Sequence, residues 1–381
     1  MVDQLEQQIE RALDQVKSGP GPVAVKPIGS DGPLVLFGAG RLGLVALKGL
    51  RQLGIEPVAW ADNNPRLHRT VVEGLPVYSA AEASAKFGKG ATFVVTIYTG
   101  ADVRRQLAEM GLRAIACTHV FRQYPDTFLP HGCLDLPGKL LPHRDEILRA
   151  ARIWADDASR TEYLAQIRYR ALLDEAVPPA HPGPMYFPED LFKLTADEVF
   201  VDCGAFDGDT LRAFLDRSAS RFGRIVALEP DASNFGRLEK FVAGRPKDVR
   251  EKIHLVQAAV GSRRETVRFE AIGTAGSQVT SAGTYEVRCL PLDEVLADCG
   301  ASLIKMDIEG SELQALEGAQ NTIRKHVPAL SICLYHRQED LWTVPLFIAS
   351  LSDKYRLFLR RHSDDCWEQI CYAIPVERLT R

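Results

Sequence analysis

No run of eighteen apolar residues occurs in the 381-residue chain, so no membrane-spanning helix is expected. Cys-x-x-Cys pairs are also missing. The eight cysteines (Cys117, Cys133, Cys203, Cys289, Cys299, Cys333, Cys366 and Cys371) are scattered, without histidines at zinc-finger spacing. That pattern argues against a metal site and suits reduced thiols in a cytoplasmic protein. Neither sign of charge dominates: 46 basic and 50 acidic residues leave a net charge of −4, which speaks against nucleic acid as a partner and against a disordered acidic tail. The first residues have no apolar core of a secretory signal. Their Val2, Leu5, Ile9, Leu13 and Val16 recur at three- and four-residue steps, the pattern of an amphipathic helix docking on its own chain or on a partner.

What is present is an ordinary globular composition, 46% hydrophobic and 25% charged, in a chain long enough for two or three domains. Four segments follow from the pattern: a helix and linker over 1–30, a Rossmann-like nucleotide-binding-type α/β domain over 31–135, a helical connector over 136–184, and a larger α/β domain over 185–381. The Gly/Pro-rich linker Gly19 to Gly32 and the stretch PPAHPGP mark two of the boundaries.

The first domain opens with the strand PLVLFGAG, a glycine turn and a helix. Gly38, Gly40 and Gly43 fit G-x-G-x-x-G in the strand-to-helix context that lets backbone N–H groups meet a phosphate. Arg41 adds positive charge, and Asp62, 22 residues after Gly40, is placed to accept ribose hydroxyls. The loop reads as a site for a nucleotide or nucleotide-sugar, or as an empty Rossmann-like scaffold. The roughly 90 residues from Val35 to the connector fall short of the roughly 150 of a full six-stranded dinucleotide fold.

The second domain repeats strand, glycine turn and helix with opposite charge. Asp202, Gly204, Ala205, Phe206, Asp207 and Gly208 end the strand DEVFVDCG, and Asp207 and Asp209 would repel a pyrophosphate while tolerating a sulfonium and an α-amino group. That ligand is S-adenosylmethionine. Glu229, 21 residues after Gly208, ends the next strand with Pro230 and can accept both ribose hydroxyls. Ala258 and Ala259 leave room for an adenine, and Asp307 and Glu309 tip the strand LIKMDIEG at the same sheet edge. An alcohol acceptor needs a base, for which Asp307, Glu309, Glu312 and His336 are candidates. His336, in YHRQEDLW after the strand PALSICLY, is favoured because its ordinary pKa, about 6.5, suits neutral pH. Its alternatives are a surface or second-layer histidine bonded to Asp307 or Asp340, and, as a minor option, a divalent cation held by Asp307, Glu309 and His336 that lowers the pKa of a hydroxyl. The segment Thr274 to Ser281 reads as a hairpin loop or a cover over the acceptor. Arg360, Arg361 and His362 read as a solvated strand end or an anion contact, and Trp154, Tyr163 and Tyr169 as helix packing.

The segments VDCGAFDGDT, ALEPDASNFGRLEK, QAAVG and IKMDIEGSELQALEGA resemble the FkbM family of class I S-adenosylmethionine-dependent methyltransferases over roughly residues 185 to 375. The resemblance implies a seven-stranded class I methyltransferase domain. It implies Asp202, Gly204 and Gly208 in the methionine-side loop, Glu229 on the ribose, Asn234 beside the nucleoside, and Asp307 and Glu309 near the transferred methyl group. It also implies O-methylation of a small-molecule acceptor such as a sugar, nucleotide-sugar or related metabolite. A homodimer is left open. The competing readings are a nucleotide-dependent oxidoreductase working at the first loop and a non-catalytic nucleotide- or S-adenosylmethionine-binding protein.

Overall fold

The computed structural model describes residues 2–18, 28, 32–98, 100–270, 278–279 and 285–380. Most of the linker and of the segment Thr274 to Ser281 therefore lies outside the described residues.

Short apolar runs broken by glycine form the first sheet: β1 (Leu34–Phe37), β2 (Ala59–Ala61), β3 (Val71–Val72), β4 (Leu75–Tyr78), β5 (Thr92–Val95) and β6 (Arg113–Ala116), ordered β3-β4-β2-β1-β5-β6. Only the β3–β4 pair is antiparallel, so five parallel strands run third-second-first-fourth-fifth in chain order. The half falls short of a full six-stranded dinucleotide fold in that its sixth strand is the two-residue antiparallel edge β3. Strands of two to four residues fit six into the space.

The second sheet contains β7 (Val199–Cys203), β8 (Arg224–Leu228), β9 (Ile253–Val256), β14 (Leu303–Met306), β15 (Ala329–Cys333), β16 (Tyr355–Arg361) and β17 (Gln369–Pro375). Their order is β16-β17-β15-β14-β7-β8-β9, parallel except for β17, which is antiparallel to both its neighbours. This is the mixed α/β topology of a class I methyltransferase. Between β9 and β14, the strands β10 (Ala259–Val260), β11 (Glu265–Glu270), β12 (Gln278–Val279) and β13 (Tyr285–Leu290) form a separate four-stranded sheet. The run IHLVQAAVG therefore bends at Gln257–Ala258 and serves two sheets.

The helical segment before the second sheet is not a spacer. Its helices Arg144–Arg152 and Asp157–Leu172 pack against the second sheet's core, with Trp154 and Tyr163 buried. Tyr169 is buried in a smaller cluster with Cys366 and Trp367. Arg360 pairs with Asp156 at 2.6 Å and buried Arg361 with Glu162 at 3.0 Å, so neither is a solvated end or an anion contact. Helix Val2–Lys17 joins the same core through Leu5, Ile9 and Leu13, so it docks on its own chain. Among the described residues no helix is long and apolar enough to cross a membrane, and all eight cysteines are free.

The chain thus begins in the second half, although the first sheet comes next in sequence. Ile9→Ala should lower the unfolding free energy by about 2–5 kcal/mol in urea titration, as for other buried Ile→Ala changes. An unchanged midpoint would show the helix to be dispensable.

Candidate active site

Strands β7, β8 and β14 deliver their carboxyl ends to one cleft. The turn after β7 can close because Gly204 has φ 81° and stands against the Asp307 carbonyl, where a Cβ would collide. Gly204, Phe206, Glu229, Pro230, Asn234, Ala258, Ala259, Asp307 and Glu309 all line the cleft, as do Asp209, Lys305, Tyr186 and Tyr335.

Four of the residues selected on and around the second glycine loop do not reach the wall. Asp202, fully buried, faces Lys305 at 3.0 Å. Lys305 Nζ also donates to the Gly204 carbonyl at 2.7 Å, so the pair pins the loop from beneath. Burial pushes Asp202 up to about 6, against the pull of the Lys305 ammonium. Burial would lower Lys305, but Asp202 and Asp307 outweigh it and hold the ammonium charged. Ala205 is buried, Asp207 is half-buried and does not line the cleft, and Gly208 faces the ring of Phe241, which a Cβ would approach to 2.8 Å. Asp209 takes the wall position instead.

Glu229 uses both oxygens: Oε2 accepts from the Phe206 N–H and Oε1 from the Asp231 N–H, each at 2.9 Å. Burial pushes this carboxyl up to about 7, with the two N–H donors and Asn234 opposing. Asp307 is tied more heavily. Its Oδ2 accepts from Tyr186 Oη at 2.7 Å and its Oδ1 from Tyr335 Oη at 3.1 Å. Burial would raise it, but His336, Lys305 and Tyr186 together hold it well below the usual carboxylate range. A carboxylate so committed is a poor proton acceptor. Glu309 is the contrasting case, 29% exposed to the cleft and pushed by burial up to about 7, with Asp307 and Glu312 adding to the rise and His336 and Arg41 opposing it.

His336 departs from the expectation of a free base. Its side chain is 6% exposed and does not line the cleft; Nδ1 lies 2.9 Å from Glu312 Oε1 and Nε2 3.3 Å from Asp307 Oδ1. Burial alone would lower its pKa, yet Glu312 and Asp307 outweigh it and raise it well above the usual histidine value. Asp307, Glu312 and His336 each bring one atom within 4.8 Å of the others, close enough to surround a small cation.

Around the first loop, Gly38 has φ 109° and Gly43 abuts Trp60, the close helix-to-strand packing the motif serves. Asp62 is spent on the backbone: Oδ2 accepts from Ala39 N–H at 2.9 Å and Oδ1 from Asn64 N–H at 2.7 Å. Arg41 and Gly40 are exposed at the helix start. The two halves meet here. Arg104 pairs with Asp365 at 2.7 Å, Tyr98 meets Trp367 edge-on, and a small second cavity lies between Tyr98, His131 and Trp367.

Sequence reasoning missed Tyr186 and Lys305. A lysine inside the apolar strand LIKM was the available signal, because a buried ammonium demands a partner; nothing local marks Tyr186.

Residues 202–366 match the family model described as the Methyltransferase FkbM domain. No curated protein matches the chain. Among solved structures, a methyltransferase FkbM from Methylobacillus flagellatus KT aligns over 98% of this chain and 100% of its own, at 23% identity and a TM-score of 0.75, which shows a shared fold. An rRNA-methylase-type protein from Clostridium thermocellum aligns over 48% of this chain and 88% of its own, at 10% identity and TM-score 0.33. UDP-D-quinovosamine 4-dehydrogenase from Vibrio fischeri aligns over 23% and 78%, at 20% identity and TM-score 0.21.

Lys305→Met should destabilise the protein by about 3–5 kcal/mol in urea titration, because it leaves Asp202 charged, buried and unpaired. Retained stability would mean that the pair does not support the loop.

Proposed function

We propose, from the premise that residues 202–366 are a methyltransferase FkbM domain and the chain therefore a methyltransferase, that it moves the methyl group of S-adenosylmethionine to a hydroxyl of a sugar, nucleotide-sugar or related small metabolite. The observation that carries the donor assignment is the charge of the cleft. Its wall presents the carboxyl groups of Asp209, Glu229, Asp307 and Glu309 against the single ammonium of Lys305. Such a wall favours a ligand bearing a sulfonium and an ammonium and disfavours a phosphate.

When bound, S-adenosylmethionine supplies an electrophilic methyl carbon on a positively charged sulfur. The chain's own residues then have three tasks. Glu229 offers carboxylate lone pairs to ribose hydroxyls, while Ala258 and Ala259 keep the neighbouring wall flat. Gly204 and Phe206 form the methionine-side turn held by Lys305 and Asp202. Glu309, exposed in the cleft and ionising near neutral pH, takes the proton of the acceptor hydroxyl as its oxygen becomes a nucleophile. Asp307, saturated with donors, orients Tyr186 and Tyr335 at the cleft wall. This reading puts the proton on Glu309 and not on His336.

The first half supports a nucleotide-bearing acceptor. Arg41 is exposed at the glycine loop, and its charge reaches the Glu309 carboxyl, so the loop and the cleft share one electrostatic neighbourhood. A phosphate at Gly38 to Gly43 would place an attached sugar toward the cleft. The protein's site would then be a small-molecule site split between two halves.

Glu229 titrates near 7 in the free protein and loses its charge below that pH, so calorimetry should show S-adenosylmethionine affinity falling as pH drops through about 7. Glu229→Gln should weaken binding about tenfold or more at pH 8, the loss of a charged hydrogen bond. Tight binding by the variant would remove Glu229 from the ribose.

Methyl transfer is tested by incubating the protein with methyl-labelled S-adenosylmethionine and a panel of free sugars, UDP-sugars and other hydroxylated metabolites. Turnover should rise with pH through about 7 as Glu309 ionises and fall about a hundredfold or more in Glu309→Gln. Arg41→Ala should raise KM for UDP-sugars alone. Label on no hydroxylated compound, or full activity in Glu309→Gln, would reject the hydroxyl reading or the base, respectively.

A further inference from the structure

One buried ionisable group has no task in the reaction just described. His336 follows β15 and sits behind the loop 307–310, and its ring touches every carboxylate of that loop. Nε2 is 3.3 Å from Asp307 Oδ1 and 3.8 Å from Glu309 Oε2, while Nδ1 is 2.9 Å from Glu312 Oε1. Glu312 is fully buried, and the same Oε1 accepts from the Ile308 N–H at 2.9 Å. The ring is therefore tied through Glu312 to the backbone between the two carboxylates it faces.

That backbone is strained. Glu309 has φ 55° and Gly310 φ 92°, and a left-handed glutamate costs of order 1–3 kcal/mol unless its surroundings hold it. The charges around the ring explain what does. Asp307, Glu309, Glu312 and, from the following helix, Asp340 all face this region. The remaining cations are engaged elsewhere or lie farther out. Lys305 pairs with Asp202, Arg337 packs over Gly310, and Arg41 approaches Glu309 from the first half. Without a positive charge at the ring, the three carboxylates would crowd one another, with Lys305 and Arg41 acting from farther out and Tyr186, Tyr335 and the Ile308 N–H as the remaining donors.

We propose that His336 is a positioning residue, a fixed imidazolium that clamps the Asp307–Glu309 loop in its strained form and lends its charge to the Glu309 carboxylate facing the acceptor. The clamp rests on the reading of Glu309 as the base, and its test does not need an acceptor. The full chain is prepared with 13Cδ-labelled glutamate, and Glu309→Gln identifies the Glu309 resonance. In the unaltered protein Glu309 should titrate near 7; in His336→Gln its midpoint should rise by about one unit or more, the effect of losing a cation within 4 Å. His336→Lys, which keeps a positive charge, should return the midpoint part of the way. A 15N-imidazole spectrum of the unaltered protein should show both ring nitrogens protonated from pH 6 to pH 8, which decides the matter even if the variants fail to fold.

A neutral ring at pH 7, a Glu309 midpoint unmoved in His336→Gln, or loss of the ring protons on adding Mg2+ or Mn2+ alone would each overturn the clamp. The last would make the cluster a metal centre. Failure of the base reading looks different: Glu309 would shift as described, yet Glu309→Gln would still turn over an acceptor.

Discussion

A single buried ammonium organises the catalytic edge of this protein. Lys305, on the central strand β14, cancels Asp202 on β7, holds the Gly204 carbonyl of the turn and contributes to keeping Asp307 ionised. A sheet edge that gathers so many carboxylates would otherwise repel itself or take up protons. The lysine is expensive to bury alone and stable only with its partners, so loop, strands and cleft form one electrostatic unit. The glycine turn is then fixed by a charge below it as much as by its own backbone freedom.

Within that unit, chemically identical carboxyl groups acquire different jobs from their surroundings. Asp307 collects donors from two tyrosines and lies beside an imidazolium, so it stays an anion and is a weak base. Glu309, two residues on, is half-buried with few donors of its own, and its ionisation falls near neutral pH. Glu229 has a similar ionisation for another reason: it is buried but bonded to two backbone N–H groups. Burial alone does not predict a role. The donors that each oxygen receives decide it.

The same distinction marks the limit of what the sequence discloses. Apolar runs ending in acids placed β7, β8 and β14 at one edge, glycine spacing and strand ends marked Gly204, Glu229, Asp307 and Glu309, and the family resemblance added Asn234. Local pattern could not show which acids face inward. Asp202 and Asp307 both end strands of the same kind, yet one pairs with a lysine beneath the loop and the other enters the cleft. Gly208 reads as a ligand glycine and is in fact a packing glycine against Phe241. His336 has the free pKa of a base, but three long-range carboxylates reverse that, and no window around residue 336 contains all of them. Strand β17 escaped notice because QICYAIP is a fully buried apolar run without alternation, which periodicity does not separate from a helix. Arg360 and Arg361 read as a solvated end because their partners, Asp156 and Glu162, come two hundred residues earlier.

The order of the chain also matters to how the two halves work together. Helix Val2–Lys17 lies in the core of the second half, the first sheet follows, and the helices Arg144–Arg152 and Asp157–Leu172 return to the second half before its own sheet begins. The half built on the first sheet therefore lies, in chain order, between segments that both pack in the core of the second half. Contacts across the seam reinforce this, with Arg104 on Asp365 and Tyr98 against Trp367 holding the carboxyl edge of the first sheet toward the second half. Exposed Arg41 at that edge then has a defined relation to Glu309.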